Sequence, residues 1–170
     1  YLTALFKILG PVSEIISYSQ KTFQVRSVEN PEVKYKNIDV DVDTHYLALL
    51  KFKSGVVVDF EISFDIWKPY EPKLEFYGTL SSIKFADPNN YDGDVSIFDK
   101  NLYRWEKVHS STNEENNYYR GLGVINMVKS ITENNISQDE MLLPFHVLEV
   151  MCALETYDGK GRWEKINPQF

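Results

Sequence analysis

The stretch 44–67 constrains the fold more than any other part of this chain. Val56, Val58, Phe60, Ile62, Phe64 and Ile66 fall on one parity, and Val57, Asp59, Glu61, Ser63 and Asp65 on the other. A long strand with one apolar face requires that alternation. Ahead of it, Tyr46, Ala48, Leu50 and Phe52 also share a parity, and Lys53-Ser54-Gly55 joins the two runs. A three-residue hairpin loop with Gly55 left-handed pairs Phe52 with Val56 and Leu50 with Val58. Both apolar stripes then share a face, and a slip of one residue breaks the match. The other face mixes His45, Leu47, Leu49, Val57 and Trp67 with its charges. Two readings of it stay open: a sheet face partly covered by the rest of the chain, or a subunit interface apolar in the middle and charged around it.

The rest of the pattern surrounds this hairpin. Leu2, Leu5, Phe6 and Leu9 recur at helical spacing until Gly10-Pro11, with no capping residue before them, as in a chain cut from something longer. Residues 12–26 read as strand and 27–37 as loop. Leu74–Phe85 reads as a hairpin turning near Gly78, and Asp87-Pro88-Asn89-Asn90 as a turn. Val95–Phe98 and Leu102–Val108 read as short strands, and Ser110–Asn117 as a mobile loop. Leu122, Ile125, Val128 and Ile131 form one helix face, ended by Asn134-Asn135. Ser137-Gln-Asp-Glu140 matches a capping box, and Pro144 should separate a short first turn from a main helix over about 144–157. That helix is apolar over much of its surface and should be well buried. The sum is an α+β fold, a mostly antiparallel open-faced β-sheet with helices packed on one face, in a single domain over 1–170.

Composition excludes several function classes. A chain of 170 residues can bury a core without staples, and 43% hydrophobic with 25% charged residues excludes disorder. A net charge of −7 and a pI near 5.0 argue against nucleic acid as a partner. No apolar run approaches the ~18 residues of a membrane helix, so no membrane partner is expected. One cysteine and no basic, cleavable leader fit a cytoplasmic location.

The motifs carry little chemistry. Gly121-Leu-Gly123-Val-Ile-Asn126 nearly matches a dinucleotide fingerprint, but its third glycine is Asn and no buried strand precedes it. Those glycines read as allowing tight helix packing or close approach of the backbone to a ligand. His45, His109 and His146 share no ligand spacing, so no metal is expected. His146, three residues before Glu149, reads as a helix histidine with a local partner, and Cys152 as inert core. No nucleophile–base pair stands out, which leaves a small hydrolase poorly supported. Two clusters are richer: Asp65-Ile-Trp67-Lys68 at the end of the long strand, and Tyr118-Tyr119-Arg120 before a helix. Aromatic faces beside charged groups can hold a sugar-like polyol, the rings covering C–H faces and the charges binding hydroxyls; ordinary sheet-end packing is the plainer reading.

Taken in order, Tyr1–Val12, Phe64-Asp-Ile-Trp67, Glu75-Phe-Tyr-Gly78-Thr, Phe85-Ala-Asp-Pro-Asn89, Tyr119–Met127 and His146–Met151 resemble the second domain of the Gfo/Idh/MocA oxidoreductases. The resemblance implies a two-domain enzyme whose other half is a Rossmann domain holding NAD or NADP, with a sugar or polyol substrate and a homo-oligomer formed through the open sheet face. Many members carry an Asp-x-x-x-His pattern whose histidine would fall just before Tyr1, and Thr3 stands where many carry another aspartate. No catalytic, cofactor-binding or metal-binding residue is therefore assigned. Asp65, Trp67, Tyr119 and Arg120 are the expected substrate-binding residues. The alternative is a non-catalytic carbohydrate-binding or dimerisation module.

Overall fold

The computed structural model describes residues 1–27, 32, 37–68, 74–90, 93–108, 121–135, 138–156 and 159–168. In chain order the elements are α1 (Leu2–Leu9), β1 (Val12–Gln20), β2 (Val25–Ser27), β3 (Asn37–Asp39), β4 (His45–Phe52), β5 (Val57–Ser63), β6 (Leu74–Tyr77), β7 (Ser82–Phe85), β8 (Val95–Asp99), β9 (Arg104–Val108), α2 (Leu122–Thr132), α3 (Gln138–Thr156) and β10 (Glu164–Lys165). The strands form three antiparallel sheets, and the fold is α+β. The chain divides into two compact units: Leu2–Lys68 with Gln138–Phe170, and Tyr1 with Pro69–Ser137.

The first unit is built on the sheet β10-β1-β4-β5. The β4–β5 hairpin has the register the alternation dictates: Leu50 opposes Val58, and the Phe52 N–H donates to the Val56 carbonyl. Gly55 has φ +87°, a conformation a side chain would strain. One face of this sheet is the core. Val12 and Ile15 of β1, Ala48, Leu50 and Phe52 of β4 and Phe60 of β5 are buried there. Helices α1 and α3 cover it with Leu2, Leu5, Phe6, Val150, Ala153 and Leu154. Each of the valine, leucine, isoleucine and phenylalanine side chains among them contributes roughly 1.5–3 kcal/mol by leaving water. The strands β2 and β3 form a separate two-stranded ribbon.

Three expectations change here. The long strand stops at Ser63 because the Phe64 N–H makes the last ladder bond, to the Thr44 carbonyl. The next N–H, of Asp65, donates instead to the Ser63 hydroxyl and turns the chain. Helix α3 runs unbroken through Pro144. A proline removes one backbone bond, and the packing of α3 on α1 and β1 holds the two halves together. The same helix is buried on one stripe only. Met141, Phe145, Leu148 and Met151 are exposed, and Cys152 is exposed rather than core. An apolar helix composition does not say how many sides have a neighbour.

The second unit holds the sheet β6-β7-β8-β9. Its first hairpin turns at Gly78, whose N–H donates to the Ser81 carbonyl. The turn after Asp87 forms as expected: its carboxylate and carbonyl accept from the N–H groups of Asn89 and Asn90. Helix α2 forms where the periodicity places it and ends at Asn134 with φ +51°. None of its residues is buried among the described ones. A Cβ at Gly121 or Gly123 would meet nothing within 4 Å, so neither glycine is required for tight packing among the described residues.

Candidate functional site

The turn after β5 places two of the sequence-expected residues and gives them different surroundings. Asp65 points back into the protein. Its carboxylate accepts from the Thr44 hydroxyl, 2.9 and 2.8 Å from its two oxygens, and pairs with the Arg26 guanidinium of β2. Arg26 Nη2 also donates to the Phe64 carbonyl at 2.6 Å and sits over the Phe23 ring, 5.4 Å from its centroid. Desolvation pushes the Asp65 pKa up, but hydrogen bonds from Thr44, Thr22 and Arg26, with the guanidinium charge, together hold it below the usual carboxylate range. The side chain is 8% exposed.

Trp67, two residues on, is 96% exposed, and Phe64 is 76% exposed. Two ring faces therefore stand in water beside a carboxylate already committed inward. Such rings can stack on the C–H face of a ring or polyol. Sequence reasoning missed Arg26 because its partner lies 39 residues away, beyond any local pattern. Phe64 was hidden by sharing the parity of the core-facing residues. Tyr119 and Arg120, with His109 and Ser110–Asn117, lie outside the described residues, as does Ser137 of the expected capping box.

The outer face of the first unit's sheet is the second candidate surface. Tyr18, Leu47, Leu49 and Val57 are exposed on it, and Ile16 is half-buried. Asp59 and Glu61 stand on β5, and Glu14 pairs with Lys51 at 2.9 Å. The two central strands thus carry four apolar side chains beside the Glu14–Lys51 pair, and the edge strand β5 carries two carboxylates.

The remaining titratable groups do structural work. His146 is fully buried on α3. Its Nε2 accepts from the Val12 N–H at 2.9 Å, which places its proton on Nδ1, 2.9 Å from Glu149 Oε2. The expected local partner is therefore present, and the ring also tethers the α1–β1 junction. The Asn89 N–H and the Tyr1 hydroxyl hold the Asp87 pKa low, and the bond to Asp87 raises that of Tyr1. Among the described residues no group of His, Cys, Asp and Glu could hold a metal ion. No helix among them is long and apolar enough to cross a membrane. Gly121–Asn126 does not make a dinucleotide fingerprint: α2 begins at Leu122, and Asn126 occupies the third glycine place inside it.

Comparison with known proteins adds a family match over part of the chain. A family model described as GFO/IDH/MocA C-terminal domain matches residues 2–84. No curated protein sequence matches the chain. Among solved structures, levoglucosan dehydrogenase in complex with NADH and L-sorbose is similar over 98% of this chain and 48% of its own, with TM-score 0.76 and 14% identity. An NAD-binding oxidoreductase from Klebsiella pneumoniae matches over 98% and 48%, with TM-score 0.67 and 16% identity. An aldose-aldose oxidoreductase from Caulobacter crescentus complexed with glycerol matches over 97% and 44%, with TM-score 0.67 and 13% identity. At these identities the likeness is one of fold. The chain spans about half the length of these structures.

Proposed function

The chain carries a GFO/IDH/MocA C-terminal domain at residues 2–84, and on that footing we propose that it is the substrate-binding and dimerisation domain of an NAD(P)-dependent oxidoreductase acting on a sugar or polyol. The family match supports the reading, because residues 2–84 contain three of the four strands of the uncovered sheet face, β1, β4 and β5, and the Ser63–Lys68 turn. We assign NAD or NADP to the other half of the enzyme; levoglucosan dehydrogenase, of which this chain spans about half, is solved with NADH. When bound there, the nicotinamide exchanges a hydride with a carbon bearing a hydroxyl or carbonyl.

In this reading Trp67 contacts the ligand; Tyr119 and Arg120, outside the described residues, stand as further candidates. Asp65 takes part by fixing the turn that presents Trp67, its oxygens being held by Thr44 and Arg26. The outer sheet face meets a second copy, because apolar side chains ringed by charge are what such contacts bury.

The test is reduction of NAD⁺ or NADP⁺ by the full-length protein with a panel of sugars and polyols. Turnover is expected, with Trp67→Ala raising KM about tenfold, equivalent to ~1.4 kcal/mol of lost stacking. Sugar binding without any nucleotide-dependent turnover would instead favour a non-catalytic carbohydrate-binding module.

A further inference from the structure

Resting on the reading that the outer sheet face meets a second copy, we infer that the two copies lie with β10 of each over β5 of the other, so that Lys165 of each faces the acidic edge of the partner subunit and lies nearest to the partner's Asp59. The strand register maps this face row by row. Lys165, Glu14, Lys51 and Val57 form one row, Ile16, Leu49 and Asp59 the next, and Tyr18, Leu47 and Glu61 the one after. In the middle, Lys51 and Glu14 neutralise each other. What remains is one ammonium on the first strand, Lys165, and two carboxylates on the last, Asp59 and Glu61. All three are exposed, and none has an ion-pair partner among the described residues. The face is thus a dipole: positive edge, apolar centre, negative edge.

A two-fold contact is self-complementary, so this dipole selects the direction of the axis. An axis running across the strands lays each strand over its own copy. Four carboxylates then converge with nothing to balance them, which opposes association. An axis running along the strands lays β5 over β10, opposite charge over opposite charge, and sets Leu47 and Leu49 against the β1 side of the partner. Sheets pack about 10 Å apart, a gap that lysine and glutamate arms span. Asp59 lies one row from Lys165, two residues or about 7 Å along the strand, within reach of the lysine's flexible stem.

Sedimentation velocity on the chain and four sets of variants tests this. Leu49→Glu, at the apolar centre, should abolish association. Lys165→Glu alone, and Asp59→Lys with Glu61→Lys, should each weaken it by about tenfold or more in Kd, more at low salt than high. Combining all three changes should restore it toward the parent value. If Leu49→Glu dissociates the copies but the charge changes leave Kd unmoved, or the combined variant is weaker than either set, the exchanged pairing is overturned while the shared face stands. If the parent chain does not associate, or Leu49→Glu leaves association intact, the face itself is the wrong surface. Circular dichroism of each variant checks that the fold is kept.

Discussion

Asp65 and Trp67 are two residues apart, yet one is held by three side chains and the other by none that touches its ring face. The difference begins at Ser63, whose hydroxyl accepts the Asp65 N–H and turns the chain so that the carboxylate meets Thr44 and Arg26. A pH dependence follows. The folded carboxyl ionises more readily than the unfolded one at 3.8, so its contribution to stability is complete above that value and is lost as pH falls through the lower folded value. Thermal melts below pH 4 should therefore fall more steeply for the parent than for Asp65→Asn, which has no carboxyl to protonate. Equal slopes would show that the Arg26 pairing does not couple to folding. At Gly93, φ is +136° and an added Cβ would lie 2.4 Å from the Ala86 Cβ. Gly93→Ala should cost about 1–3 kcal/mol in urea unfolding, and a neutral result would mean that this turn relaxes freely.

At the scale of elements, His146 joins α3 to the start of β1. His146→Ala would leave the Val12 N–H without its acceptor and open a cavity beside Phe6, whose ring lies 4.8 Å from the imidazole. A loss of about 3 kcal/mol is expected by chemical denaturation, and one under ~1 kcal/mol would contradict a tethering role. The sequence pattern made the elements themselves legible wherever two constraints agreed. Alternation on both sides of Gly55 left one register for β4 and β5, and helical spacing ended by Gly10 or Asn134 bounded α1 and α2. It could not report burial. Met141, Phe145 and Leu148 look like core residues until the other side of α3 takes the sheet, and Cys152 shares their fate. Pro144 misled because a proline's effect depends on the packing around it. Of the candidate site, Trp67 was legible as an aromatic at a strand end, whereas Arg26 could be found only by folding the chain.

At the scale of the whole molecule, one uncovered sheet face and one aromatic turn lie in the same compact unit. Gly121–Asn126 fails as a dinucleotide fingerprint, and titration calorimetry of the 170-residue chain with NAD⁺ should give no micromolar affinity; such an affinity would place the cofactor site here instead. The central claim is that the outer face of β10-β1-β4-β5 exists to be covered by a second copy. Light scattering across a concentration series tests it most directly. The account predicts a mass of twice 19.8 kDa, whereas a mass that stays at 19.8 kDa up to the highest concentrations would contradict it.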